Sequence, residues 1–188
     1  MRRLIAFNSV TADGYFTDAH GDMRWAYDVK PDKEFDAFVA GNASGGGQLL
    51  FGRLTYEMMA GYWPTADALK NNPVVAEGMN SMPKVVFSRT LDKATWNNTQ
   101  LVKADIASAV AKLKQQPGKD MAILGSGSII AQLAPLGLID EYQMVLTPVV
   151  LGGGRTMFAG ITERLKLKLL DIRTFANGKV FLRYAPLN

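Results

Sequence analysis

No cysteine occurs in the chain, so a disulfide framework, a thiolate nucleophile and a cysteine-ligated zinc are all excluded. His20 is the single histidine, which excludes a metal centre of several imidazoles, and no metal is expected. Charge is sparse: 20% of the 188 residues are charged against 48% hydrophobic, with a mean hydropathy of +0.01. That balance permits a full core and argues against disorder. Nor is there an N-terminal apolar run of signal-peptide length, because only Leu4 to Phe7 separate Arg2 and Arg3 from Asn8. The charge-free run Met121 to Ile139 is broken by Gly125, Gly127, Pro135 and Gly137, and reads as buried strand, turn and buried helix instead of a membrane span. A reducing, cytoplasmic setting with no membrane partner is therefore expected. What charge exists sums to +4, with a pI near 9.3, and favours anionic partners. Lys112, Lys114, Lys119, Lys166 and Lys168 are scattered and read as solvated faces, without the interleaved aromatics of a nucleic-acid surface.

The length fits one domain, residues 1–188. Leu4 to Val10 is an apolar stretch closed by Thr11-Ala12-Asp13-Gly14, where Asp-Gly marks a turn. A polar loop from 17 to 32 surrounds Trp25 and Tyr27 and has the length of a lid. Asp32 is placed to cap a helix from Lys33 to Ala40 with Phe35, Phe38 and Val39 on one face. Strands follow at Gln48 to Phe51, Lys84 to Phe87, Leu101-Val102 and Met121 to Leu124, with helices opening at Gly52, running from Ile106 to Gln115, and ending near Leu133. The last quarter has strands at Glu141 to Thr147, Lys166 to Phe175 and Lys179 to Tyr184, the last two joined through the hairpin signal Asn177-Gly178. The pattern predicts a three-layer α/β domain, its mixed sheet mostly parallel, with antiparallel C-terminal strands and helices on both faces.

Ligands of such sheets sit beyond the carboxyl ends of the strands, where helix N-termini converge. Three of those ends are Gly52-Arg53-Leu54-Thr55, Ser88-Arg89-Thr90 and Gly125-Ser126-Gly127-Ser128. Each is small, hydroxylated or cationic, which suits phosphate oxygens. Gly125-Ser126-Gly127 lacks the final glycine or alanine of a dinucleotide fingerprint, since the sixth position is Ile130, and Gly152-Gly153-Gly154-Arg155-Thr156 has arginine where a P-loop has lysine. His20 lies in Asp18-Ala19-His20-Gly21-Asp22 and reads as a solvated loop histidine.

Taken in order, Thr11-Ala12-Asp13-Gly14, Leu50-Phe51-Gly52-Arg53-Leu54-Thr55-Tyr56-Glu57, Val85-Val86-Phe87-Ser88-Arg89-Thr90, Ile123-Leu124-Gly125-Ser126-Gly127-Ser128 and Thr147-Pro148-Val149-Val150-Leu151-Gly152-Gly153-Gly154 resemble the dihydrofolate reductase-like family. Within it the chain is similar to the C-terminal reductase domain of the riboflavin-biosynthesis bifunctional deaminase-reductase. The resemblance implies an NADPH-dependent oxidoreductase related to 5-amino-6-(5-phosphoribosylamino)uracil reductase, and a homodimer. It places Gly52, Arg53, Leu54 and Thr55 on the pyrophosphate and ribose phosphate, Ser88, Arg89 and Thr90 on the adenosine 2'-phosphate, and Gly125 to Ser128 on the pyrophosphate and nicotinamide side. Riboflavin reductases of this kind carry a glutamate where this chain has Gly125-Ser126, so a nucleotide-binding or regulatory protein without catalysis is the alternative. Asp13 and Asp36 are the candidates for the proton step, Asp36 by its spacing before Gly52. The apolar C-terminal strands imply self-association, with Tyr142, Met144, Val149 and Phe158 facing a second subunit.

Overall fold

The computed structural model describes residues 1–187. Strands β1 (Leu4–Thr11), β2 (Tyr15–Thr17), β3 (Gln48–Gly52), β4 (Lys84–Phe87), β5 (Thr99–Val102), β6 (Met121–Leu124), β7 (Glu141–Thr147), β8 (Arg155–Thr156), β9 (Leu167–Thr174) and β10 (Val180–Pro186) alternate with helices α1 (Lys33–Ser44), α2 (Arg53–Tyr62), α3 (Ala66–Asn71), α4 (Pro73–Ser81), α5 (Ile106–Gln115) and α6 (Gly127–Leu133). Eight strands form one sheet in the order β5-β4-β3-β6-β1-β7-β10-β9, and β2 pairs with β8 beside it. Pairing is parallel from β5 to β7; β10 and β9 then run antiparallel, as expected from the sequence. The Asn177-Gly178 hairpin forms, with Phe175 N–H bonded to the Lys179 carbonyl and Gly178 at φ +83°.

Strict alternation in the strands sorts side chains to two faces. Leu4, Ala6, Leu50, Val85 and Ile123 pack against Val110 of α5 and Ile129, Ile130 and Leu133 of α6. Leu49, Phe51 and Val86 meet the layer of α2 to α4 on the other face, where Phe35 and Phe38 of α1 pack on Phe7, Val145, Phe175 and Phe181. Two helices escaped the sequence reading, α3 and α4, because the segment 61–82 mixes polar and apolar residues without a clean period. The helix beginning at Lys33 extends to Ser44, past the expected Ala40.

Two expectations are corrected here. Tyr142 does not face outward: it is 1% exposed and packs on Phe158 at a ring distance of 5.8 Å, because the segment after β8 folds back over β7. Lys114 is not a solvated residue either; its stem is buried and its ammonium is held by the Leu138 carbonyl and the Asp140 carboxylate.

Candidate functional site

The parallel strands end in chain turns that tie neighbouring helix starts together. Ser126 closes β6 in the left-handed region, φ +54°, its hydroxyl donating to the Leu124 carbonyl and accepting the Gly52 N–H at 2.9 Å. Its own N–H donates to Thr55 Oγ1 at 3.2 Å, so α2 and α6 begin side by side. Gly125 must be glycine: φ is +58°, and a Cβ there would lie 3.0 Å from both Thr55 Oγ1 and Cγ2. Gly127 is different. Its φ is not in the left-handed region, and a Cβ would meet the Phe16 ring at 3.3 Å and the Met157 carbonyl at 3.4 Å. Both glycines thus have a structural role, and Gly127 also lines the cleft described below. Gly125 serves a tight strand-to-helix turn, and Gly127 makes room for Phe16.

Asp32, Thr65 and Asp105 cap α1, α3 and α5 with side-chain bonds, whereas neither Gly52 nor Ser126 caps α2 or α6. The leading N–H groups of both helices lie at the positive ends of their dipoles without a side-chain cap, although in α6 the Ile129 N–H is already held by the Ser126 carbonyl at 2.8 Å. A cleft of about 840 Å³ opens over these two starts. Gly52, Arg53, Leu54 and Thr55 line it from α2, and Ser126, Gly127 and Ser128 from α6. Phe16, Thr17, His20 and Met23 wall it from β2 and the following loop, and Gly154, Arg155 and Thr156 from β8. No carboxylate is among the lining residues. Arg53 is bonded to Glu57 at 3.0 Å, while Arg155 makes no ion pair among the described residues. The Thr17 hydroxyl is buried here without a partner. A second hollow, about 550 Å³ by Met1, Arg2 and Gly118, lies at the amino ends of the strands, away from the helix starts.

The other sequence-derived residues fall outside the cleft wall. Ser88 Oγ accepts the N–H groups of Thr90 and Leu91, closing the turn after β4, and Arg89 is exposed there. Asp13 accepts the Thr11 hydroxyl at 2.6 Å and the N–H groups of Leu151 and Gly152. The Thr11 bond, reinforced by those backbone bonds, holds its carboxyl below the usual carboxylate range. It clamps the 151–152 turn as an anion. Asp36 is exposed on α1, outside the cleft wall. His20, read as solvated, is exposed but stands in the wall. Thr17 and Met23 lie in the 17–32 loop that the sequence marked as a lid, whereas Phe16, Arg155 and Thr156 were missed, since the short β2·β8 ladder carries no periodicity; the signal for Arg155 was a cation after a triple glycine.

The sequence profile of the RibD C-terminal domain family matches residues 2–181. YyaP of Bacillus subtilis (strain 168), an uncharacterized protein, is 32% identical over 183 residues, covering 97% of this chain and 94% of that one. The deaminase/5-amino-6-(5-phosphoribosylamino)uracil reductase of Thermotoga maritima superposes with a TM-score of 0.69 at 13% identity, over 99% of this chain and 57% of that one. Dihydrofolate reductase from Enterococcus faecalis, in a complex with NADP(H), superposes with a TM-score of 0.60 at 14% identity, over 99% of this chain and 97% of that one. At those identities the two structures establish a shared fold.

Proposed function

The chain belongs to the RibD C-terminal domain family, and from that premise we propose that it is an NADPH-dependent oxidoreductase acting on a small heterocyclic or carbonyl-bearing substrate. The observation that carries the reading is the cleft: two uncapped helix starts, two arginines and no carboxylate around about 840 Å³. Those features fit a dinucleotide. Backbone N–H groups of α2 and α6 would take pyrophosphate oxygens, the unpartnered Thr17 hydroxyl offers a further bond, and Arg53 and Arg155 supply charge for phosphate. When bound, the cofactor supplies a hydride; the chain's part is to orient it and to exclude water with Phe16, Met23 and Met58. Asp13 is committed as an anion to the 151–152 turn, so the accompanying proton comes from solvent or from the imidazole of His20, which stands in the wall. The setting we propose is cytoplasmic; among the described residues, no helix is long and apolar enough to cross a membrane.

Fluorescence titration with NADPH and NADH tests the cofactor assignment. NADPH is expected to bind at least tenfold more tightly, since one charged hydrogen bond to a 2'-phosphate is worth roughly 1.5–3 kcal/mol, and Arg155→Ala is expected to weaken it. Equal constants for the two cofactors overturn it. A reading as a nucleotide-binding protein without catalysis draws on the carboxylate-free wall; oxidation of NADPH in a screen of pyrimidine, pterin, quinone and keto compounds decides between them.

The proposed partner is a second copy of the chain, through a face displaced from the expected one. Tyr142 is covered and Phe158 is half-buried against it, but rows Met144-Leu182-Ile172 and Leu146-Val180-Thr174 lie side by side on the face away from α1. Ile172 is 56% exposed, and the charges of the same strands, Asp171, Arg173 and Arg183, point to the opposite face. An uncharged face is one that two chains of net charge +4 can bring together without repulsion.

A further inference from the structure

Helix α2 turns an apolar stripe to solvent. Leu54, Met58 and Tyr62 follow one another at four-residue steps, which sets them on one face of the helix. They are 55%, 40% and 42% exposed. The outer face of a surface helix is ordinarily polar, so three large apolar side chains in line mark a surface that a ligand or partner covers. The stripe begins in the proposed cofactor cleft, since Leu54 and Met58 line it, and Tyr62 stands one turn beyond Met58. It runs from the helix start assigned to phosphate towards the other end of α2.

The loop before α1 brings a second pair to the same place. Met23 lines the cleft, and Tyr27 follows the turn Arg24–Ala26 that Met23 opens, its N–H donating to the Arg24 carbonyl at 2.9 Å. Among the described residues, Tyr27 and Tyr62 are the two exposed aromatic side chains, and they neighbour each other. Water reaches Tyr27, yet burial of its hydroxyl raises the phenol above its ordinary value, and the nearby Tyr62 hydroxyl raises it further. A side chain that water reaches and protein surrounds stands in an open hollow. Tyr62 is steadied there by the buried Trp63, edge to face with ring centres 5.0 Å apart.

We infer that Met23 and Tyr27 on one side and Met58 and Tyr62 on the other form the substrate end of the cleft, and that it takes an uncharged aromatic ring system without a phosphate arm. The inference rests on the reductase reading for what fills the rest of the cleft. Thioethers and phenol rings hold a flat ring by contact with its faces, and the two tyrosine hydroxyls are left to bond heteroatoms on its edge. None of the four side chains is cationic, and Arg24, the cation of the intervening turn, is paired with Asp22. These walls therefore offer a phosphate nothing.

The test titrates the full chain, saturated with NADP⁺, by calorimetry with 2-naphthol and 2-naphthyl phosphate, one ring without and with a phosphate. The wild-type chain is expected to bind 2-naphthol, and the ester no more tightly. Tyr27→Ala and Tyr62→Ala are each expected to weaken 2-naphthol about three- to tenfold, the weight of one aromatic pair. Tyr27→Phe and Tyr62→Phe keep the ring and most of the affinity, and the melting temperatures of all four variants stay near that of wild type because both side chains are exposed. Leu69→Ala, which removes an exposed apolar side chain from α3, leaves the affinity unchanged and so controls for general adhesion. A wild-type chain that does not bind 2-naphthol overturns the inference, as do alanine variants of wild-type affinity or an ester that binds much the more tightly. A double variant Tyr27→Ala, Tyr62→Ala that sediments as a monomer where wild type is a dimer also overturns it, because a second copy then covers the stripe. Failure of NADP⁺ to bind, with tyrosine-dependent affinity for 2-naphthol intact, removes the reductase reading and leaves the ring site standing.

Discussion

At Gly125 and Gly127 the same substitution to alanine has two different physical consequences. Gly125→Ala places a Cβ in the left-handed region and 3.0 Å from Thr55, so strain of about 1–2 kcal/mol adds to a contact that disturbs the Thr55–Ser126 bond. Gly127→Ala keeps its backbone and presses on Phe16 and Met157 by a few tenths of an ångström. At about 2–4 °C per kcal/mol for a chain of this size, Gly125→Ala is expected to melt lower than Gly127→Ala by several degrees. Equal melting temperatures contradict the assignment. Lys84 shows how burial can hide a charge from sequence reasoning. It is 1% exposed, with its ammonium bonded to the carbonyls of Asn80, Met82 and Asn97. Burial pushes both Lys84 and Lys179 from 10.5 down to about 8. Between pH 8 and 10.5 the unfolded chain therefore holds more protons than the folded one, and stability rises with pH through that window. Tyr142, raised by burial to about 12, acts oppositely above pH 10, because the unfolded chain ionises there first. Urea unfolding at pH 7.5 and 9.5 is expected to show a gain of order 1–2 kcal/mol at the higher pH, reduced in Lys84→Met. A flat profile refutes it.

Helix starts and strand edges behave as units. Asp105 caps α5 through Ser108 alone, and Asp105→Ala is expected to cost about 1 kcal/mol. Asp32 accepts Glu34 and Phe35 at the start of α1 and also the Asn177 N–H of the β9·β10 hairpin, so one carboxylate joins a helix to a distant turn. Asp32→Ala is expected to cost about 2 kcal/mol or more. Thermal melting of the two variants checks the ordering, and a smaller loss for Asp32→Ala would show that the hairpin bond contributes nothing. α2 and α6, like α4, start without a side-chain cap, and the two that open onto the cleft are the ones that matter for function.

For the whole molecule, the apolar face of β7, β10 and β9 sets the expected state in solution. Sedimentation at micromolar concentration is expected to give a dimer, and Ile172→Lys, which puts a charge in the middle of the exposed row, is expected to give a monomer with an unchanged melting profile. A wild-type monomer removes the second-copy proposal without touching the cleft.

Local chemistry alone determined much of this protein. Short apolar runs ended by turn residues located β1, β3, β4, β6 and β7; Asp32 announced α1; Asn177-Gly178 announced the terminal hairpin; and the strand ends at Gly52 and Gly125 announced where two helices begin, because each of these signals lies within a few residues of its effect. Tertiary structure decided the rest. It brought Thr17, Met23 and Arg155 to the wall opposite those helix starts, and it left Ser88 and Arg89 outside that wall. It assigned Asp13 to a turn 138 residues away, and buried Tyr142, Lys84, Lys114 and Lys179, residues that carry no mark of burial in their own neighbourhoods. The physical reason is that burial and the pairing of polar groups depend on which segments the sheet order makes adjacent, and that order joins β1 to β6 and β7 across more than a hundred residues of chain.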